Sequence, residues 1–122
     1  MYNDTVLDHL LEPRNVGEIP DADGIGQAGN FADGDRITIY IKVNDNKLED
    51  VRFKTFGCAA AIASSSMVTV MAKGLTIKEA SKISNEAVAI ALGGLPEKKL
   101  LCSNFAATAL NNAIMDYRNK SK

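Results

Sequence analysis

Ile37, Ile39, Ile41 and Val43 alternate with Thr38, Tyr40 and Lys42. After the turn residues Asn44-Asp45-Asn46-Lys47, Val51, Phe53 and Thr55 alternate with Arg52, Lys54 and Phe56. An apolar period of two marks a strand with one buried face, and two such runs around a polar turn predict a hairpin. After Gly57 the period changes. Residues 58–72 are rich in Ala, Ser and Met and predict a helix packed closely on the sheet, ended by Gly74. Strands first and helices after predict an α+β fold: a small antiparallel three-stranded sheet with helices packed on one face.

The remaining elements follow from local signals. Val6, Leu7, Leu10 and Leu11 have helical spacing and Pro13 stops them, so a short helix opens the chain. Residues 14–23 read as a connector, and Ile25 to Phe31 as a Gly-rich edge strand. Thr76 with Glu79 is a capping-box pair opening a helix. Ser84 or Asn85 starts another, closed by Gly93-Gly94. After the loop Leu95 to Lys99, a last helix is expected from about Cys102 to Tyr117, with Phe105, Ala109, Ala113 and Ile114 facing inward. The 122 residues suffice for a single domain, 1–122, with one core.

Bulk properties narrow the function. A net charge of −1 gives no basic footprint for nucleic acid and permits self-association into a homo-oligomer. No apolar stretch approaches a membrane span, and Met1-Tyr2-Asn3-Asp4 does not begin an export signal, which predicts a cytoplasmic protein. In a reducing compartment the two cysteines are expected as free thiols or ligands rather than a disulfide.

Those cysteines, Cys58 and Cys102, each fall at an expected helix start, where unpaired N–H groups favour thiolate. Their bland reading is two small buried hydrophobes. Their positions at strand-to-helix and loop-to-helix junctions point instead to a site. Lys99 lies close enough in sequence to hold the Cys102 thiolate electrostatically. Asp33 and Asp35, either side of Gly34, read alone as a polar turn before a strand. As ligands they add hard oxygens to two soft sulfurs, a mixed set that zinc and ferrous iron accept. His9 is the only histidine, and packing or capping explains it better than ligation. Gly24-Ile25-Gly26-Gln27-Ala28-Gly29 matches a dinucleotide fingerprint in letters only, since a connector precedes it and a strand follows.

In these residues the chain resembles the iron–sulfur scaffold proteins of the IscU type, also found as the N-terminal domain of NifU. The likeness spans Asp8-His9 with Pro13-Arg14-Asn15-Val16-Gly17, then Gly34-Asp35 and Ile41-Lys42-Val43. It continues through Phe53 to Ala59, Ile62 to Ser66, and Lys99 to Ser103. The resemblance implies a protein that accepts sulfur from a cysteine desulfurase of the IscS/NifS type and collects iron. It implies a transient 2Fe–2S cluster passed on to recipient apo-proteins, and zinc binding at the same site. It also implies a scaffold or carrier rather than an enzyme.

By the same resemblance Asp35 matches the family's aspartate, Cys58 and Cys102 its second and third cysteines, and Lys99 a lysine near the site. Cys102, then Cys58, are the implied sulfur acceptors. Three departures stand out. Asp33 occupies the place of the first cysteine, and Leu101 that of a histidine. The chaperone-recognition segment Leu-Pro-Pro-Val-Lys is here Leu95-Pro96-Glu97-Lys98-Lys99, which puts specialised chaperone pairing in doubt. Clusters are normally held by four thiolates, so oxygen ligation predicts a labile one. Two rival readings follow. One is a degenerate paralogue that binds mononuclear iron or zinc, for regulation or storage, without building a cluster. The other is a thiol redox protein, against which the absence of Cys-x-x-Cys counts.

Overall fold

The computed structural model describes residues 4–29, 34, 36–57, 59–93 and 105–120. Among them the order is α1 (Asp4–Leu11), β1 (Gly24–Ala28), β2 (Arg36–Asn44), β3 (Lys47–Phe56), α2 (Ala59–Ala72), α3 (Ile77–Ala80), α4 (Asn85–Ala91) and α5 (Ala106–Lys120). The three strands form one antiparallel sheet in the order β1-β2-β3. This is the expected α+β architecture.

The hairpin turns at Asp45 and Asn46, both at positive φ, as a two-residue turn matched to strand twist requires. Ile37, Ile39 and Ile41 of β2 and Leu48, Val51 and Phe53 of β3 bury one face. α2 and α5 cover that face, and their Val68, Ala72, Leu110, Ala113 and Ile114 complete the core.

Strand β1 explains the glycine pattern that imitates a dinucleotide fingerprint. A Cβ on Gly24 would overlap the carbonyl of Ala113, and one on Gly26 would overlap the backbone of Ala109 and Ala113. These glycines let helix α5 lie directly on the strand. The helix also caps β1's outer edge. Asp116 accepts from Ile25 N at 2.9 Å, and Asn112 donates to Gln27 O at 2.9 Å. The Ile25 N–H, then Lys120, hold the Asp116 carboxyl below its ordinary pKa.

The free edge of β3 is covered as well. Leu48 exchanges backbone bonds with Gly74 and Leu75, and Phe53 with Asn15 and Gly17. Edge strands handled this way offer little template for stray pairing.

Some boundaries differ from expectation. Among the described residues the edge strand spans Gly24–Ala28, with a bend at Gly29, and the end expected at Phe31 lies outside them. Among the described residues the last helix runs Ala106–Lys120, past the expected end at Tyr117, and the start expected near Cys102 lies outside them. Its first described turn is held by Asn85, whose Oδ1 accepts from Ala107 N at 2.9 Å, with Ala109 N bonded to Phe105 O. Phe105 is a half-buried turn residue rather than a helical one. The capping box stands as expected, with Thr76 Oγ1 accepting from Glu79 N and Glu79 Oε1 accepting from Thr76 N. Ser84 is the N-cap of α4, and Gly93, at φ 85, follows its end.

Candidate metal centre

The five residues expected at the site, Asp33, Asp35, Cys58, Lys99 and Cys102, lie outside the described residues. So does the Leu95 to Lys99 segment. Among the described residues no three His, Cys, Asp or Glu side chains converge as a metal site would require. What the structure does fix is the framework on either side of the candidates.

That framework converges. β2 begins at Arg36 and β3 ends at Phe56, and these two residues are partners in the ladder. Ala28, at the end of β1, pairs with Ile37 beside them. α2 begins just past Gly57. α5 sets Ala113 over Gly24 and Ala109 over Gly26, so its chain runs antiparallel to β1 and its first turn lies toward Ala28. The entry to β2, the exit from β3 and the starts of α2 and α5 therefore share one end of the sheet. Those are the elements that flank Asp33 and Asp35, Cys58, and Cys102 in sequence. Gly34, between the two aspartates, is exposed at φ +80 with open space around it, so backbone conformation rather than room calls for glycine. Phe56 is 70% exposed at the same end.

A second set of residues gathers behind this end. His9 Nδ1 lies 2.7 Å from Ser66 Oγ, and Arg14 N donates to the same oxygen at 2.9 Å. Asn15 Nδ2 donates to Thr69 Oγ1 at 3.1 Å, and Arg14 pairs with Asp8 at 2.6 Å. Burial first, then the Arg14 charge, lower the His9 pKa, against a raising effect of Asp8. The packing role expected for His9 is the one it has.

The structure thereby joins two motifs that sequence reading left apart: Asp8-His9 with Pro13 to Gly17, and the serines of α2. Ser64, Ser65, Ser66 and Thr69 are wholly buried. Ser64 and Thr69 donate back to helix carbonyls of Ala61 and Ser66, which lets hydroxyls sit in a core helix. Ser65 Oγ has no partner among the described residues. A run of hydroxyls inside an otherwise apolar helix was the available signal for this network.

A cleft of about 440 Å³ lies nearer the hairpin end of the sheet, lined by Glu18, Asp21, Lys42, Asp50, Arg52 and Lys73. Lys42 binds Asp21 at 3.1 Å and Arg52 binds Asp50 at 2.9 Å, so its charges largely pair with each other. It is not the convergence described above. No described helix is long and apolar enough to cross a membrane.

A small antiparallel sheet with helices on one face, and its chain junctions gathered at one end, defines a class of small α+β proteins. The comparisons give the family. Residues 1–122 match the family described as NifU-like N terminal domain, and the chain belongs to it. Two Archaeoglobus fulgidus proteins, named iron-sulfur cluster assembly scaffold protein IscU 1 and IscU 2, are each 64% identical over 99% of this chain and 79% of their own length. A scaffold protein IscU from Aquifex aeolicus is 52% identical over 95% of this chain and 75% of its own. In fold, the crystal structure of the N-terminal part of a NifU-like protein from Brucella abortus superposes with a TM-score of 0.75. It covers 97% of this chain and 94% of that one at 19% identity.

Proposed function

We propose that this chain is an assembly scaffold for iron–sulfur clusters, with the cluster as cargo rather than resident cofactor. The carrying observation is the 64% identity, over 99% of the chain, with proteins named as IscU scaffolds. In the finer reading, a cysteine desulfurase of the IscS/NifS type supplies sulfur, iron is collected, and a 2Fe–2S cluster passes to recipient apo-proteins. The chain itself carries and presents; it does not turn over a substrate. A reducing, cytoplasmic setting keeps both thiols available.

Cys102 is the first sulfur acceptor in this reading and Cys58 the second thiolate. Asp33 takes the position of a thiolate, Asp35 ligates or aids release, and Lys99 stabilises thiolate charge. Convergence of the flanking elements on one end of the sheet supports grouping these residues. Ligands on several rigid elements are held better than ligands on one loop. Two oxygen ligands make the cluster easier to lose, which suits a protein that gives it away.

The test is sulfur loading. After incubation with a cysteine desulfurase and cysteine, mass spectrometry should find added sulfur on Cys102, and Cys102→Ala should abolish most of it. Loading that ignores both cysteines would contradict the proposal.

A further inference from the structure

We infer that the cleft near the hairpin end of the sheet is a binding site for a small zwitterion of the α-amino-acid type. Its volume of about 440 Å³ lies within the range of small-molecule pockets. Two of the ion pairs around it are closed, Lys42 with Asp21 at 3.1 Å and Lys54 with Glu18 at 3.0 Å. What remains is uneven. Asp50 alone serves two cations, Arg52 at 2.9 Å and Lys73 at 3.8 Å. Arg52 reaches it through Nε, so both terminal guanidinium nitrogens lack a partner among the described residues. Glu49 lines the same cleft without an ion pair of its own among those residues, and acts on Lys42 only at longer range. One surplus positive charge and one surplus negative charge therefore share the cleft.

A β-bulge builds this arrangement. Val51 and Phe53 face the core, so strict alternation would turn Glu49 inward. The ladder pairs Lys42 with Asp50 and Val43 with Leu48, which leaves Glu49 as the extra residue. Leu48 takes the core position, and Glu49 joins Asp50 in lining the cleft. Bulges recur beside sites, where they re-aim a side chain. Ile19 and Pro20 add an apolar portion to the wall.

The recognition follows from these groups. A carboxylate takes the open fork of Arg52 together with Lys73, an ammonium takes Glu49, and an apolar side chain lies on Ile19 and Pro20. A plain anion meets the carboxylates of the cleft, and a plain cation meets its lysine and arginine, so either half alone is disfavoured. The site is separate from the ligand reading at the other end of the sheet and stands whether or not the chain builds clusters.

An ordinary surface network of ion pairs makes a different forecast, in which no small ligand saturates the cleft. The probe is L-leucine, titrated into the isotope-labelled full chain and followed by amide chemical shifts. The comparison ligands are isocaproate, which is leucine without its amine, and isoamylamine, which is leucine without its carboxylate. Leucine should give saturable shifts at Ile19 and along Glu49 to Arg52. Each analogue should bind about tenfold more weakly, the effect of losing one charged hydrogen-bonding group. Arg52→Gln and Glu49→Gln, both at exposed positions, should each lower leucine affinity about tenfold, with amide shifts away from the cleft unchanged. No saturable shift in the cleft up to the solubility of leucine, analogues that bind as well as leucine, or affinity unchanged in either variant overturns the inference.

Discussion

Ser66 shows how one hydroxyl can hold three segments together. It serves His9 of α1 and the backbone of Arg14 from within α2, at 2.7 and 2.9 Å. Ser66→Ala would leave a buried imidazole nitrogen and an N–H without partners, a loss of about 1–3 kcal/mol by chemical denaturation. His9 makes the same contact dependent on pH. Its folded pKa is lowered, so the unfolded chain binds the proton more readily. The stabilisation is therefore full above the ordinary imidazole pKa of about 6.5 and is lost as pH falls through the folded value. The melting temperature should drop between about pH 7 and pH 5 in the parent, and drop less in His9→Gln. The motifs around His9 and Ser64 to Ser66 were visible as letters. Their pairing was not, because residues 57 positions apart carry no mark of who meets whom.

At the scale of elements, the contact between α5 and β1 is the least forgiving. Gly26→Ala would drive a methyl into the backbone of Ala109 and Ala113, costing about 2–3 kcal/mol in urea unfolding. Removing the capping box with Thr76→Ala should cost about 1 kcal/mol in the same assay. The box was legible in full, since Thr76 and Glu79 act within one turn. So was the hairpin, which local turn chemistry and alternation define. The bond that holds the first described turn of α5 was not, because Asn85 of another helix supplies it. The glycines of β1 were read correctly as no phosphate loop. Their real role needed the helix above them, which is a tertiary fact.

For the whole molecule, the architecture brings the chain junctions beside the candidate ligands to one end of a sheet. The rest of the fold braces that end from behind. The core helices α2 and α5 both start there, and their far portions fill the core. The family likeness was legible because its motifs are spread along most of the chain and keep their order. The resemblance sets Asp33 in the place of the family's first cysteine, and the chemical consequence of that expectation is the central question. A carboxylate in place of a thiolate should weaken cluster retention without preventing assembly. Anaerobic reconstitution with iron, cysteine and a desulfurase tests this most directly, read by visible absorption with iron and acid-labile sulfide counts. The account predicts a 2Fe–2S spectrum with matching iron and sulfide, lost in Cys58→Ala and in Cys102→Ala. Iron bound without sulfide would contradict it and leave a metal-binding relative that builds no cluster.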